Sequence, residues 1–193
     1  MIELVVGMSL LSIFMAMFTG AVVMMNKAEN KTEAVSLSAT QLNQAFLTLD
    51  KTIRYASAIS TPGLGTSTKD WYTELQSKYT SIETCTQLRV DITAQQVQQR
   101  TWTPSATTSD LTAWKPIASG ITNGSAASGA TTQPFYLRPV VGSARFQQLT
   151  INIVSPASAG STTTTSTSAF TFAAINSSVP VTTTSFCQQQ GRP

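Results

Sequence analysis

Histidine is absent from this chain, and the commonest general base and neutral metal ligand is absent with it. Cysteine is nearly absent too: Cys85 and Cys187 are the full complement, and thiols that far apart lack metal-finger spacing. Charged residues make up only 11% of the chain. Beyond Pro62 the carboxylates are limited to Asp70, Glu74, Glu83, Asp91 and Asp110, with no close pair of the kind used in glycoside hydrolysis or metal chemistry. There is no Gly-rich phosphate loop and no nucleophile-elbow sequence. These absences argue against an enzyme, and no catalytic residue, metal or cofactor is expected.

What the chain has instead is one long apolar run. From Leu4 to Met25 there is no Lys, Arg, Asp, Asn or Pro, and the run matches the ~20 residues that a bilayer core requires. A cleaved secretory signal would show a basic head, a shorter apolar stretch and a small-residue cleavage site; here no basic residue precedes Lys27, so the segment is expected to be retained. All six methionines fall within the first 25 residues, where flexible thioethers pack equally well against lipid or protein. Glu3 stands at the head of the run. A charge within the apolar layer costs roughly 2.5 to 3.5 kcal/mol at a central position, so Glu3 is expected to have a partner, most simply another copy of the chain. The plainer alternative is a single-pass anchor whose Glu3 reaches back to the interface.

At Asn26 the character changes without a turn signal. Lys27, Glu29, Lys31 and Glu33 alternate in sign at helical spacing, which supports a solvated helix surface. Val35, Ala39, Leu42, Phe46, Leu49, Ile53 and Ala56 then step alternately by four and three, a stripe suited to a coiled-coil seam or to one helix laid on a sheet. Ser60-Thr61-Pro62-Gly63 ends the pattern. A helix from Ile2 to Ile59 would be about 85 to 90 Å long. Gly20 is its weakest point in the apolar half, and a local stretch or kink is expected there.

The opening Met1-Ile2-Glu3-Leu4-Val5-Val6-Gly7-Met8-Ser9-Leu10-Leu11 resembles the start of type IV pilins and pseudopilins, whose mature chains begin with a short apolar lead, a glutamate and a long apolar helix. The resemblance implies a helix that first anchors the subunit in the cytoplasmic membrane and, after extraction, forms the core of a helical filament at the cell surface. It implies that Glu3 faces the amino terminus of a neighbouring subunit, and that the helix loosens near Gly20. It also implies processing by a prepilin peptidase, often with methylation of the new terminus, and an assembly machinery. In the family a basic leader, a glycine and usually two further residues precede the isoleucine–glutamate pair, so the processed terminus is left unassigned. The stretches Leu49-Asp50-Lys51-Thr52-Ile53-Arg54-Tyr55-Ala56, Cys85-Thr86-Gln87-Leu88-Arg89-Val90 and Gln98-Gln99-Arg100-Thr101-Trp102 are similar to minor pilins and J-type pseudopilins, which prime or tip a filament.

The expected fold is α+β and pilin-like: residues 1–25 as an apolar helical segment, 26–61 as the amphipathic continuation of the same helix, and 62–193 as one globular β-rich head on an antiparallel sheet. Strand-like alternation marks 87–92, 96–102, 145–153 and 169–175. Trp71, Tyr72 and Leu75 are read as a short helix or turn capping the groove between helix and sheet; Trp102 and Trp114 fit core and surface equally. Residues 118–133 and 155–168, rich in Ser, Thr, Gly and Ala, are read as solvent-facing connections, open to O-linked sugars or to the outside of a filament. Asn30, Asn123 and Asn176 each match the N-glycosylation pattern, which is common by chance. In an exported head Cys85 and Cys187 read most simply as one disulfide, with two buried thiols as the alternative.

Net charge is +3, yet no carboxylate follows Asp110, whereas Lys115, Arg138, Arg145 and Arg192 do. Converging on one face, those four would contact phosphates, as in a pilus that takes up DNA; scattered, they are ordinary surface charges. The expected function is a structural subunit of a homo-oligomeric or mixed type IV filament. A low-copy priming or tip subunit is the alternative within that class, and a membrane-tethered extracellular binding module is the alternative outside it.

Overall fold

The structure is a computed structural model that describes residues 2–66, 69–79, 82–104, 111–123, 133–138, 145–156, 165–177, 187 and 191–192. It comprises two compact units, 1–40 and 41–193. A single helix, α1 (Ile2–Arg54), supplies all of the described part of the first unit and the opening of the second. The architecture is α+β, a long N-terminal helix and antiparallel sheets.

In the first unit α1 is helical through Gly20. Within its segment Ile2–Asn30 an 18-residue stretch has a mean hydropathy of 2.0, and none of that stretch is buried. The hydroxyls within it are satisfied by the helix itself: Ser9 donates to the Val6 carbonyl (2.8 Å), Ser12 to Ser9 (2.8 Å) and Thr19 to Met15 (2.8 Å). Back-bonding of this kind lets a hydroxyl sit in an apolar layer without an orphaned donor.

The second unit opens with the last turns of α1 and continues, among the described residues, into nine strands: β1 (Ala56–Ile59), β2 (Gly63–Leu64), β3 (Trp71–Tyr79), β4 (Ile82–Asp91), β5 (Gln96–Trp102), β6 (Lys115–Ser119), β7 (Phe135–Arg138), β8 (Gln147–Pro156) and β9 (Thr165–Ala174). One sheet has the order β1-β3-β4-β5-β6 with β2 also on β3; the other has the order β7-β8-β9, and every pairing is antiparallel. One core gathers Ala45, Leu49 and Ile53 of α1, Trp71, Leu75, Leu88, Val90 and Val97 of the larger sheet, and Phe135, Leu149, Ile151, Ile153 and Phe172 of the smaller.

Several expectations are corrected. The helix ends at Arg54, before Ile59, because Ala56, Ala58 and Ile59 pair with Ser77, Gln76 and Leu75 on β3 and are buried there. Lys51 and Arg54 in the last turn favour the helix C-terminus, and the guanidinium of Arg54 grips Asp50 one turn back (2.8 Å). Trp71, Tyr72 and Leu75 lie on β3, buried in the middle of the larger sheet. The buried stripe of α1 is Ala45, Leu49 and Ile53, and Phe46 is 40% exposed, flanking that stripe with its ring 5.2 Å from Phe172 and 5.8 Å from Phe170. Val35, Ala39 and Leu42 lie outside the side chains described. The start of the supposed 118–133 connection is ordered: Ala118 and Ser119 belong to β6, Ile121 is buried, and the Asn123 amide donates to the Asn152 carbonyl (2.9 Å). Residues 124–132 and 157–164 lie outside the described residues, while the flanks of the second stretch belong to β8 and β9.

Candidate assembly surface and C-terminal clasp

Glu3 stands in the first turn of α1 with its side chain exposed. A carboxylate there interacts favourably with the unpaired amides of a helix N-terminus, so the position suits the charge before any partner arrives. Gly20 lies with Ala16, Thr19 and Val23 in a shallow groove along one side of α1, rimmed by Met15, Met24 and Lys27. A side chain added at Gly20 would meet nothing within 4 Å. Ile2, Phe14, Met17 and Met24 are 82, 70, 69 and 75% exposed, so the apolar surface extends along the whole segment. The length and composition describe a membrane anchor and a secretion signal alike.

In the head, Cys85 and Cys187 are brought together as a disulfide with their Cα atoms 5.6 Å apart, closing a sequence separation of 102. Both sulfurs are buried beside Trp102, with Leu111 partly buried against them. Trp102 is therefore core, on the face of the sheet turned away from α1.

That far face carries a second tie, which sequence reasoning missed. Pleating places Tyr72, Glu74 and Gln76 of β3 across from Arg89, Gln87 and Cys85 of β4, and these across from Gln98, Arg100 and Trp102 of β5. The Glu74 carboxylate accepts Nε of Arg192 (2.9 Å), the Gln87 amide (2.8 Å) and the Ser60 hydroxyl. Arg192 also donates to the Thr61 carbonyl (2.8 Å), while its own carbonyl accepts the Thr66 amide (3.0 Å) and hydroxyl (2.9 Å). Gln87 completes the link by donating to the Gly191 carbonyl (3.2 Å) and accepting Nε of Arg100 (2.8 Å). Glu74 is fully buried, and each of its oxygens has a donor. Gly191 has φ +70°, a left-handed conformation suited to glycine, and Gly63 leaves room for the guanidinium: a Cβ there would come within 2.5 Å of Arg192 Nη1. Disulfide and ion pair together fasten the end of the chain across β3 and β4.

Beside the clasp, Trp114 lies between two guanidinium groups, Arg89 at 4.3 Å and Arg100 at 4.5 Å from its ring centroid. It is half-buried, intermediate between the two expectations for it. Arg89 is neutralised by Asp91 (3.0 Å) and Asp70 (3.9 Å). Arg100 has no carboxylate partner among the described residues; its Nη2 is buried without a hydrogen bond, and burial lowers its pKa from the ordinary arginine value.

Of the four basic residues considered for phosphate contact, one is engaged within the head. Arg192 is committed to Glu74. Lys115 opens β6 of the larger sheet, whereas Arg138 ends β7 and Arg145 precedes β8, both on one hairpin of the smaller sheet. All three are exposed. Among the described residues no group of His, Cys, Asp or Glu could hold a metal ion. Asn30 lies on α1, and the triplets starting at Asn123 and Asn176 run into residues outside those described.

The Cys85–Cys187 pair was readable from an even cysteine count, but Glu74 and Arg192 lie 118 positions apart, and neither has a local pattern announcing the other. The only sequence hint is a lone glutamate inside an otherwise strand-forming stretch, Trp71-Tyr72-Thr73-Glu74-Leu75. No protein-family model matches the chain, and no curated protein or solved structure is similar enough to match it.

Proposed function

We propose that this chain is a structural subunit of a type IV filament, held in the membrane by the first part of α1 and assembled through the same helix, with Glu3 setting the docking register. The observation that carries this reading is a 29-residue apolar helical segment, unburied by its own chain, with a carboxylate in its first turn and a disulfide-bonded β head on the same polypeptide. Apolar surface of that extent needs lipid or other protein to cover it. An acid at its head is expensive in hydrocarbon and useful only when met by a cation. A neighbour's amino terminus supplies one, and pairing is then possible at only one axial stagger.

On this reading the cytoplasmic membrane is the location before assembly and the cell surface the location after it. The partners are further copies or other pilins, a prepilin peptidase and an assembly machinery. No chemistry is assigned to the head. The experiment is to shear cells, pellet released filaments, and measure the amount and N-terminal mass of this chain relative to other subunits. Stoichiometric abundance makes it the shaft subunit, and trace abundance makes it a priming or tip subunit. Complete absence from filaments, with intact protein in the membrane, replaces the proposal with a tethered binding module.

A further inference from the structure

The sheet edges of the head are not protected alike. Edge strands offer unpaired backbone groups to other chains, and proteins blunt them with shortness, bulges, proline or charge. β1 has four residues and a register break between Ala56 and Ala58; β2 has two residues. β6 has five, opens with Lys115-Pro116, and pairs through a break between Val97 and Gln98. β7 has four and ends in Arg138. β9 has none of these devices. It is ten residues long, Thr165 to Ala174, contains no charge and no proline, and keeps unbroken register with β8 from Gln147↔Ala174 to Pro156↔Thr165.

Nor do the described residues that follow cover it. After Ala174 the chain turns; the Ile175 amide donates to the Arg54 carbonyl (3.1 Å), and the Ser177 hydroxyl accepts the Gln147 amide of β8 (2.9 Å). The described residues after β9 thus cross the end of the sheet towards β8. Among the described residues nothing pairs with the outer edge of β9.

We propose that the open edge of β9 is an interaction surface for an extended, uncharged strand, and that its occupant is β9 of a second copy, added antiparallel about a two-fold axis. The strand is neutral throughout, so self-pairing sets no like charges against each other. Thr167, Ala169, Thr171 and Ala173 are exposed while Phe172 and Ala174 are buried, and register must set outward residues against outward residues. A two-fold centred on Phe170 does this, placing Ala169 opposite the partner's Thr171. Phe170, half-buried beside Phe46, would meet its own counterpart across the axis. Subunits in one polar filament share one direction, so a two-fold pair joins chains that are not neighbours within the same filament. The proposal therefore stands apart from the filament reading.

The test uses the full chain in detergent micelles over a range of concentrations, with a benzophenone amino acid in place of Phe170 for photo-crosslinking and amide hydrogen exchange on the unsubstituted chain. The expected result is a covalent dimer cross-linked within β9, and slower exchange of β9 amides at high concentration. Ala169→Lys should abolish both, whereas Ser119→Lys, on the already charged β6 edge, should change neither. Oligomers that persist in Ala169→Lys and cross-link outside β9 would overturn the pairing while leaving assembly through α1 intact. Exchange of β9 that is independent of concentration in the unsubstituted chain overturns it even where Ala169→Lys fails to fold. Loss of the chain from sheared filaments would remove the filament reading and leave the β9 result untouched.

Discussion

Glu74 has no exposed side-chain surface and Arg192 only 15%, so the two ends of the clasp are unequal. Removing the arginine strands a fully buried carboxylate in the sheet, whereas removing the charge of the glutamate leaves a guanidinium that is partly exposed and still donates to the Thr61 carbonyl. Breaking a buried pair from the side that leaves the other charge enclosed costs about 3 to 5 kcal/mol. Arg192→Ala is therefore expected to lower the stability of the oxidised head by roughly 3 kcal/mol, and Glu74→Gln by clearly less, both read from urea midpoints of the full chain in detergent. Equal losses would mean that the pair is not as enclosed as its geometry indicates. Gly63→Ala acts on the same contact, since its Cβ would press on Arg192 Nη1. A crowding loss of about 1 to 3 kcal/mol is expected, and it should vanish in the Arg192→Ala background.

At the scale of elements, the helix face offers a sharp comparison. Leu49 is buried at the contact with both sheets, and Phe46, also on the expected stripe, leans over the smaller sheet with its ring partly in solvent. Leu49→Ala should cost about 2 to 5 kcal/mol, whereas Phe46→Ala should fall below the 3 to 5 kcal/mol of a fully buried phenylalanine. The reverse order would restore the stripe as the sequence pattern draws it. The Cys85–Cys187 link belongs to this scale as well, because it ties the C-terminal segment to β4 across most of the head. Cys85→Ser with Cys187→Ser is expected to cost about 2 to 5 kcal/mol, visible as a lower urea midpoint.

The same elements show what a sequence can and cannot reveal. β5 was legible to the residue, while β4, β8 and β9 were legible only in part, the first half of β4, the end of β8 and the start of β9 being missed, because one face of each strand is clearly more apolar than the other over only part of its length. β3 was not, since both of its faces are covered, one by the core and one by the clasp, which erases the alternation that marks a half-exposed strand. The end of α1 was read too late because Ala56 satisfies two patterns: it continues the stripe of fours and threes, and it is also the buried first residue of β1. Only long-range pairing with β3 decides between them. β6 and β7 are short and owe their extended form to neighbours. Of the candidate site residues, the cysteine pair was legible from exclusion of other roles, while the commitment of Arg192 to Glu74 required the fold.

For the molecule as a whole, the unburied segment of α1 sets the condition for existence in water. Ile2 through Met25 present large apolar side chains on all sides of the helix, and the chain itself covers none of them. Such a surface is stable only in lipid, in detergent or against other copies, so the transfer from membrane to filament that we propose would exchange one apolar cover for another of similar quality. The hydrophobic term then contributes little to the choice between the two states, as it does for helices associating within a bilayer. On the proposed reading specific pairing decides the outcome, with Glu3 the acid assigned to provide it. Breaking a buried ion pair by removing one partner costs about 3 to 5 kcal/mol, which is more than a tenfold change in an equilibrium, since each 1.4 kcal/mol is tenfold. Glu3→Ala is therefore expected to reduce this chain in sheared filaments at least about tenfold, while the membrane-bound pool keeps its amount and its Cys85–Cys187 disulfide. Glu3→Asp, which retains the charge one methylene shorter, should recover part of the loss. Filaments of Glu3→Ala at normal yield would show that the apolar surfaces suffice without the acid, and the role assigned to Glu3 would have to be withdrawn.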